Sequence, residues 1–196
     1  MKIVDQYDNV VDTNSIEKEE QELAGEYIKP DDVVFELGAR YGSVSCVINN
    51  ILNVKTNQVS VEPDQRVWSA LEKNKIANGC KFQIVKGFVS NKKMDLTNLD
   101  DCHGGYGSTF VINNESTIQS YPFDSFNLPF NVLVADCEGF LETFFDENEK
   151  LYDQLRLVIF EADYPNKCNY TKIKKCLVEH GFKKIREGHQ NVFLKN

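Results

Sequence analysis

The chain has 196 residues, of which 41% are hydrophobic and 27% are charged, a composition typical of one globular domain and unlike that of a disordered chain. Its formal net charge of −8 at pH 7 argues against a nucleic acid as its partner, because surfaces that bind phosphates are usually basic. No apolar run approaches the roughly 20 residues of a membrane span, and the first residues are too polar for a signal peptide, so we expect no membrane partner and a cytoplasmic location.

Apolar residues recur along the chain with periods that alternate between those of a helix and a strand. The first predicted element is a helix at 15–28, with Ser15 as its N-cap and Pro30 after its end. It forms an N-terminal helical extension, residues 1–30, of a single domain whose core is residues 31–196. The elements predicted in that core are, in order, strand 33–37, helix 44–52, strand 58–62, helix 65–76, strand 82–85, strand 131–136, helix 141–145, strand 155–163, helix 170–180, and strands 182–187 and 191–195.

Strands that alternate with helices predict an α/β fold, in which helices cover both faces of a mostly parallel sheet. The last two predicted strands are separated by three residues, too few for a crossover helix, so they form an antiparallel hairpin. We therefore predict a Rossmann-like, seven-stranded sheet in the order 3-2-1-4-5-7-6 with the last strand antiparallel. This ending is typical of the class I methyltransferase variant of the fold.

The segment E-L-G-A-R-Y-G, residues 36–42, joins the first strand of this sheet to the next helix. A ligand that crosses the carboxyl ends of parallel strands approaches the backbone here, and glycines leave room for it beside the free N–H groups of the helix. A carboxylate at position 36 can accept a hydrogen bond from an ammonium group, although the segment alone is equally compatible with a plain tight turn. The predicted cofactor contacts in this region are Glu36, Gly38, Ala39, Arg40, Tyr41, Gly42 and Ser43.

Glu62 ends the second strand of the sheet, 24 positions after Gly38. A carboxylate at this place can accept hydrogen bonds from both hydroxyls of a ribose, and Pro63 fixes the turn that follows it. At the end of the third strand, Gly87 and Phe88 are positioned to contact an adenine ring, although Phe88 is equally compatible with a core position. Together these residues predict a nucleoside site.

The spacing between the glycines decides which nucleoside cofactor we expect. Gly38 and Gly42 form a G-x-x-x-G pattern instead of the G-x-G-x-x-G that holds the pyrophosphate of a nicotinamide dinucleotide. That spacing favours the methionine tail of S-adenosyl-L-methionine, and the C-terminal hairpin also favours methyl transfer. Two alternatives stay open: a nicotinamide-dependent oxidoreductase, and a non-catalytic nucleoside-binding module that partners a glycosyltransferase.

Four carboxylates follow the fourth and fifth strands of the sheet: Asp136 and Glu138 after the fourth, and Glu161 and Asp163 at the end of the fifth. Neighbouring strand ends bring them together, close to the methyl group of the cofactor, which Asp136 also contacts. Crowded carboxylates either raise one another's pKa toward that of a general base or bind a divalent cation. The candidate catalytic residues are Asp136, Glu138, Glu161 and His189, and the candidate metal ligands are Asp136, Glu161 and Asp163.

A glycine-rich loop follows the third strand of the sheet. Residues 104–108, which include Tyr106, form a candidate lid that closes over the acceptor of the methyl group, and His103 is a secondary candidate for the base.

Four segments together resemble FkbM-type methyltransferases, most of all the compact domains of large DNA viruses of algae and protists: residues 36–45 (ELGARYGSVS), 61–64 (VEPD), 135–142 (ADCEGFLE) and 159–163 (IFEAD). The resemblance covers the chain from about Pro30 onward. It implies methylation of a hydroxyl on a sugar or small molecule, such as a glycan made by a glycosyltransferase, and for a viral protein the host cytoplasm.

The resemblance also implies cofactor contacts by Glu36, Gly38, Gly42 and Glu62 and active-site positions for Asp136 and Glu138. The chain departs from the pattern D-x-G-A-N-x-G that is common in the family, since it carries Glu36 and Arg40 in place of the acid and the asparagine. It also carries Asp163 where histidine is common. The identities of the base and of the acceptor therefore stay open.

Overall fold

The computed structural model describes residues 1–99 and 107–195. Its elements alternate between strands and helices through most of the chain, with several short strands in between. In chain order they are β1 (Ile3–Val4), β2 (Val10–Val11), α1 (Lys18–Tyr27), β3 (Val34–Leu37), α2 (Ser43–Ile51), β4 (Gln58–Glu62), α3 (Trp68–Ala77), β5 (Gln83–Lys86), β6 (Phe88–Val89), β7 (Met94–Thr97), β8 (Thr109–Ile112), β9 (Ser120–Tyr121), β10 (Val132–Ala135), α4 (Leu141–Glu147), α5 (Leu151–Gln154), β11 (Leu157–Glu161), α6 (Tyr170–Glu179), β12 (Lys183–Arg186) and β13 (Gln190–Leu194).

Seven of these strands form one central sheet in the order β5-β4-β3-β10-β11-β13-β12, which is 3-2-1-4-5-7-6 when the sheet strands are counted among themselves. β3, β4, β5, β10 and β11 are parallel, and β13 is antiparallel to both of its neighbours. The predicted α/β class and the mostly parallel seven-stranded sheet are confirmed. The detail that differs is six short strands, which pair outside the sheet as β1–β2, β6–β9 and β7–β8.

Apolar side chains on both faces of the inner strands explain why helices cover the sheet on both sides. Along β10, successive side chains point to opposite faces. Leu133 lies in a core cluster with Phe144 of α4, whereas Val134 lies in a second cluster with Leu23 of α1 and Ile48 of α2. Helix α1 is therefore a layer of the core on the second face.

Helix α1 begins later than the sequence predicts, because the residues before it form a separate turn. The hydroxyl of Ser15 donates to the backbone and side chain of Asp12 instead of capping the helix. Glu17 then has a left-handed backbone with φ of 51°, which an α-helix cannot contain, and the helix starts at Lys18. Within residues 1–99 and 107–195, no helix combines the length and the apolar character of a membrane span.

Candidate active site

A cavity lies where the carboxyl ends of β3, β4, β5 and β10 meet at one edge of the sheet. It encloses about 740 Å³ when the solvent in its open mouth is included. Leu96 of β7 and Phe110 of β8 cover one side, and the catalytic candidate Glu138 also faces it. The predicted cofactor contacts that line the cavity are Gly38, Arg40, Glu62, Pro63, Gly87, Phe88 and Asp136.

The remaining predicted contacts lie behind the wall of this larger cavity. Ala39 and Tyr41 are buried in a core cluster under α3, and Gly42 precedes the first turn of α2. Ser43 donates its hydroxyl to Glu17, and Glu36 lines a smaller adjoining cavity.

Gly38 is required by the close approach of two strand ends. Its φ is +87°, and a Cβ at this position would overlap the backbone carbonyl oxygen of Asp136. Its N–H donates to the carbonyl of Val61 at 3.0 Å. The turn after β3 therefore packs directly on the turn after β10, which brings the cofactor segment and the carboxylate cluster together.

The carboxylate of Glu62 is held in one orientation by the backbone. One oxygen accepts the N–H of Arg40 at 2.7 Å, and the other accepts the N–H of Asp64 at 2.7 Å. Each oxygen keeps a second lone pair for a ligand. Burial raises the pKa of Glu62 to about 7. Arg40 has a φ of 43°, a conformation that asparagine adopts more readily than arginine, and this left-handed turn is where its N–H meets Glu62.

Phe88 belongs to both the core and the cavity wall, so the two alternatives predicted for it are not exclusive. It is 4% exposed, and its ring centroid lies 6.1 Å from that of Phe140. Gly87 before it has a φ of +147°, and a Cβ there would overlap the backbone of Gln119.

Three of the acidic candidates meet beside the cavity. Asp136, Glu161 and Asp163 each offer one carboxylate oxygen, and these oxygens all lie within 4.8 Å of one another, a separation that a shared cation can bridge. Burial, and next the charge of Glu17, raise the pKa of Asp136 well above its ordinary value. Burial and the charge of Asp136 raise the pKa of Glu161 to about 9.

Glu138 and His189 lie on opposite sides of this acidic cluster. Glu138 accepts the N–H of Gly107 at 3.1 Å, and burial together with a hydrogen bond to Asp163 raises its pKa to about 9. His189 places its Nε2 2.6 Å from a carboxylate oxygen of Glu161, with 63% of its side chain exposed. The sequence-based candidates for the base are therefore brought together, while His103 and Tyr106 fall outside the described residues.

Three side chains that sequence reasoning missed hold residues 107–109, at the end of the glycine-rich loop, over the cavity. The hydroxyl of Tyr164 donates to the carbonyl of Gly107 at 3.3 Å, and Lys167 donates to the hydroxyl of Thr109 at 2.6 Å. Arg66 donates to Ser108 at 3.3 Å. Tyr164 and Lys167 lie in one turn after β11 and Arg66 lies in the turn after β4, and their spacing in sequence gives no sign of a common site.

Glu17 is the other residue that the sequence did not indicate. It lines both the larger and the smaller cavity. In the sequence it belongs to an acidic run that is typical of a solvated helix face, so only the three-dimensional arrangement reveals its position.

Comparison with known proteins gives similarity in structure alone. No protein-family model and no curated protein matches the sequence. Among solved structures, precorrin-6y C5,15-methyltransferase of Geobacter metallireducens GS-15 aligns with a TM-score of 0.56 at 13% identity, over 90% of this chain and 87% of that one. An rRNA methylase of Streptococcus thermophilus aligns with a TM-score of 0.56 at 9% identity, over 89% of this chain and 93% of that one. The chain thus has the fold of class I methyltransferases.

Proposed function

We propose that the protein is an S-adenosyl-L-methionine-dependent O-methyltransferase of the FkbM type, acting on a hydroxyl group of a sugar or another small acceptor. The observation that carries the proposal is the convergence of Gly38, Glu62 and Asp136 on one cavity at the carboxyl edge of the sheet. In open α/β sheets this edge is where ligands bind.

The residues present fit this cofactor. The free lone pairs of Glu62 suit the two ribose hydroxyls, and Phe88 offers an apolar surface to the adenine ring. The carboxylates around Asp136 complement a ligand with positive charge. When bound, the cofactor supplies an electrophilic methyl group on a positively charged sulfur.

The acidic cluster is suited to take up the proton of the acceptor. The bound cofactor would supply the methyl group, and Asp136 would accept the hydroxyl proton of the acceptor as its oxygen is methylated. A carboxylate with a raised pKa binds that proton more strongly than a solvated one does. Glu138 and Glu161 would help to hold the proton within the cluster. Alternatively, Asp136, Glu161 and Asp163 would hold a divalent cation, which would acidify the hydroxyl.

A small acceptor is favoured over a nucleic acid by the net charge of the chain, which is −8, and by the carboxylates that line the cavity. The segment around Gly107 and Thr109 is held over the cavity, and this also suits a small ligand. The oxidoreductase alternative is not favoured, because the turn at Gly38 and Gly42 lacks the G-x-G-x-x-G spacing. The intact carboxylate set argues against a non-catalytic module.

The nucleoside site is tested by Glu62→Gln. We expect the Kd for S-adenosyl-L-methionine, measured by calorimetry, to rise at least about tenfold, or about 1.4 kcal/mol, because the amide cannot accept hydrogen bonds at both ends. The matched control is Glu72→Gln on α3, whose side chain is 51% exposed and pairs with Lys86. Absence of cofactor binding by the intact, folded protein would refute the proposal.

The role of Asp136 is tested by Asp136→Asn, with Asp146→Asn on the exposed side of α4 as its control. With a panel of sugars and labelled methyl donor, turnover should be abolished while the cofactor Kd stays within about threefold. Full activity of the variant would remove Asp136 from the mechanism.

Addition of a chelator to the wild type separates direct proton transfer to the carboxylates from the use of a divalent cation. Loss of turnover that Mg²⁺ restores indicates the cation, and unchanged turnover indicates direct proton transfer.

A further inference from the structure

A second, smaller cavity adjoins the first one behind Gly38, between α1 and the carboxyl ends of β3 and β10. It encloses about 310 Å³ including its opening, and Glu17, Leu37, Gly38 and Asp136 line both cavities. The two cavities therefore meet at Gly38, and the free space in the smaller one suits a terminal group of about the size of one water molecule, carried by a ligand whose nucleoside lies near Glu62.

The smaller cavity is strongly acidic. The carboxylates that line it belong to Glu17, Glu20, Glu36 and Asp136, and its described lining contains no lysine or arginine. Buried carboxylates are costly unless a positive charge or hydrogen-bond donors compensate them. Glu36 is buried, and one of its oxygens accepts the hydroxyls of Ser45 at 2.6 Å and Ser60 at 2.5 Å. The other three carboxylates are partly exposed.

An unpaired acceptor in the same wall points independently to a ligand that donates hydrogen bonds. Gln190 is 2% exposed, and its amide nitrogen donates to Glu161 at 3.0 Å and to Glu20. Its side-chain carbonyl oxygen is buried and receives no hydrogen bond from the described part of the chain. Buried acceptors without a donor are rare, and an ammonium group supplies both the missing donor and the missing positive charge.

Glu17 is brought to this cavity by an uncommon backbone conformation. Its φ of 51° and ψ of 27° lie in the left-handed region, which residues other than glycine seldom adopt and which persists where surrounding contacts hold it. Its carboxylate contacts the hydroxyl of Ser43, the first residue of α2. Glu17 thus connects the N-terminal segment to α2, the helix that follows residues 36–42.

We propose that Glu17 and the side-chain carbonyl of Gln190 bind the α-ammonium group of the methionine tail, so that the segment before α1 is part of the cofactor site. The proposal rests on the proposed function, since it needs S-adenosyl-L-methionine as the ligand. It assigns a cofactor contact to Glu17, which lies outside residues 36–42 and outside the segments that resemble the FkbM family.

The test compares three ligands by calorimetry on the Glu17→Gln variant of the full chain. S-adenosyl-L-methionine and S-adenosylhomocysteine carry the ammonium group, whereas 5′-methylthioadenosine keeps the nucleoside and the sulfur but lacks the amino-acid tail. We expect the Kd of both tail-bearing ligands to rise at least about tenfold. The Kd of 5′-methylthioadenosine should stay within about twofold of the wild-type value.

Two further variants control for folding and for charge. Glu22→Gln makes the same chemical change on α1 at a side chain that is 65% exposed, and it should leave all three Kd values unchanged. Glu17→Asp keeps the charge but shortens its reach by one methylene, so it should show an intermediate loss, and it serves as the test if Glu17→Gln does not fold.

Two other outcomes would contradict the proposal, and a third would contradict the proposed function on which it rests. Equal weakening of all three ligands would make Glu17 a structural support of the cavity, and unchanged or tighter binding of the tail-bearing ligands would remove it from the site. Failure of the wild type to bind any of the three would instead overturn the proposed function itself.

Discussion

Glu36 carries a carboxyl group in the interior of the protein, where its protonation is coupled to folding. It is 2% exposed, and its hydrogen bonds with Ser45 and Ser60 only partly compensate its burial, which raises its pKa from 4.5 to about 7. Since the folded state binds this proton more tightly than the unfolded state, the contribution of Glu36 to stability is complete below about pH 4.5 and is lost as the pH rises toward 7.

Glu36→Gln should therefore remove one source of instability at alkaline pH. Relative to that of the wild type, the free energy of unfolding of the variant should increase by about 2 to 3 kcal/mol between pH 5 and pH 8, following the shift in the pKa. Urea unfolding at both pH values measures this difference, and the comparison with the wild type cancels the titration of other groups. A difference that is the same at both pH values would show that Glu36 does not titrate in this range.

At the scale of elements, sequence patterns predicted the parts of the fold that are buried on two faces. β3 and β10 are buried along their whole length, so each appears in the sequence as a short apolar run. The hairpin of β7 and β8 was missed because its strands are short and half-exposed, without a regular alternation of apolar and polar residues. Side-chain bonds such as that between Thr97 and Thr109, at 2.7 Å, link its two strands, and their spacing was invisible in the sequence.

The residues of the candidate site also divide into those that sequence patterns reveal and those that depend on tertiary contacts. Glu62 and Asp136 follow buried strands directly, so strand order alone places them at one edge of the sheet. Glu17 reaches that edge only because α1 packs on α2, a tertiary contact that the acidic run around it does not reveal. Gly38 was predicted to leave room for a cofactor, and the structure adds a reason internal to the protein, the contact with the backbone of Asp136.

For the molecule as a whole, the sum of charges conceals how they are distributed. The total of −8 argues correctly for an acidic protein, but it does not show that carboxylates gather where α1, β3, β10 and β11 meet. This concentration depends on the N-terminal segment, which supplies two of the acidic side chains, Glu17 and Glu20. The N-terminal segment therefore contributes side chains both to the hydrophobic core and to the candidate site.

We infer that residues 1–30 fold as part of one cooperative unit with the rest of the chain. Leu23 is 4% exposed and packs with Ile48 and Val134 against the sheet, so Leu23→Ala should lower the free energy of unfolding by about 2 to 5 kcal/mol. Val10→Ala, at a side chain that is 71% exposed, should change it by less than about 0.5 kcal/mol. Urea unfolding followed by circular dichroism should show a single transition for both variants, and a chain of residues 31–196 should lack that transition. If the shortened chain unfolded cooperatively with the stability of the full one, the segment would be an appendage to a core that folds without it.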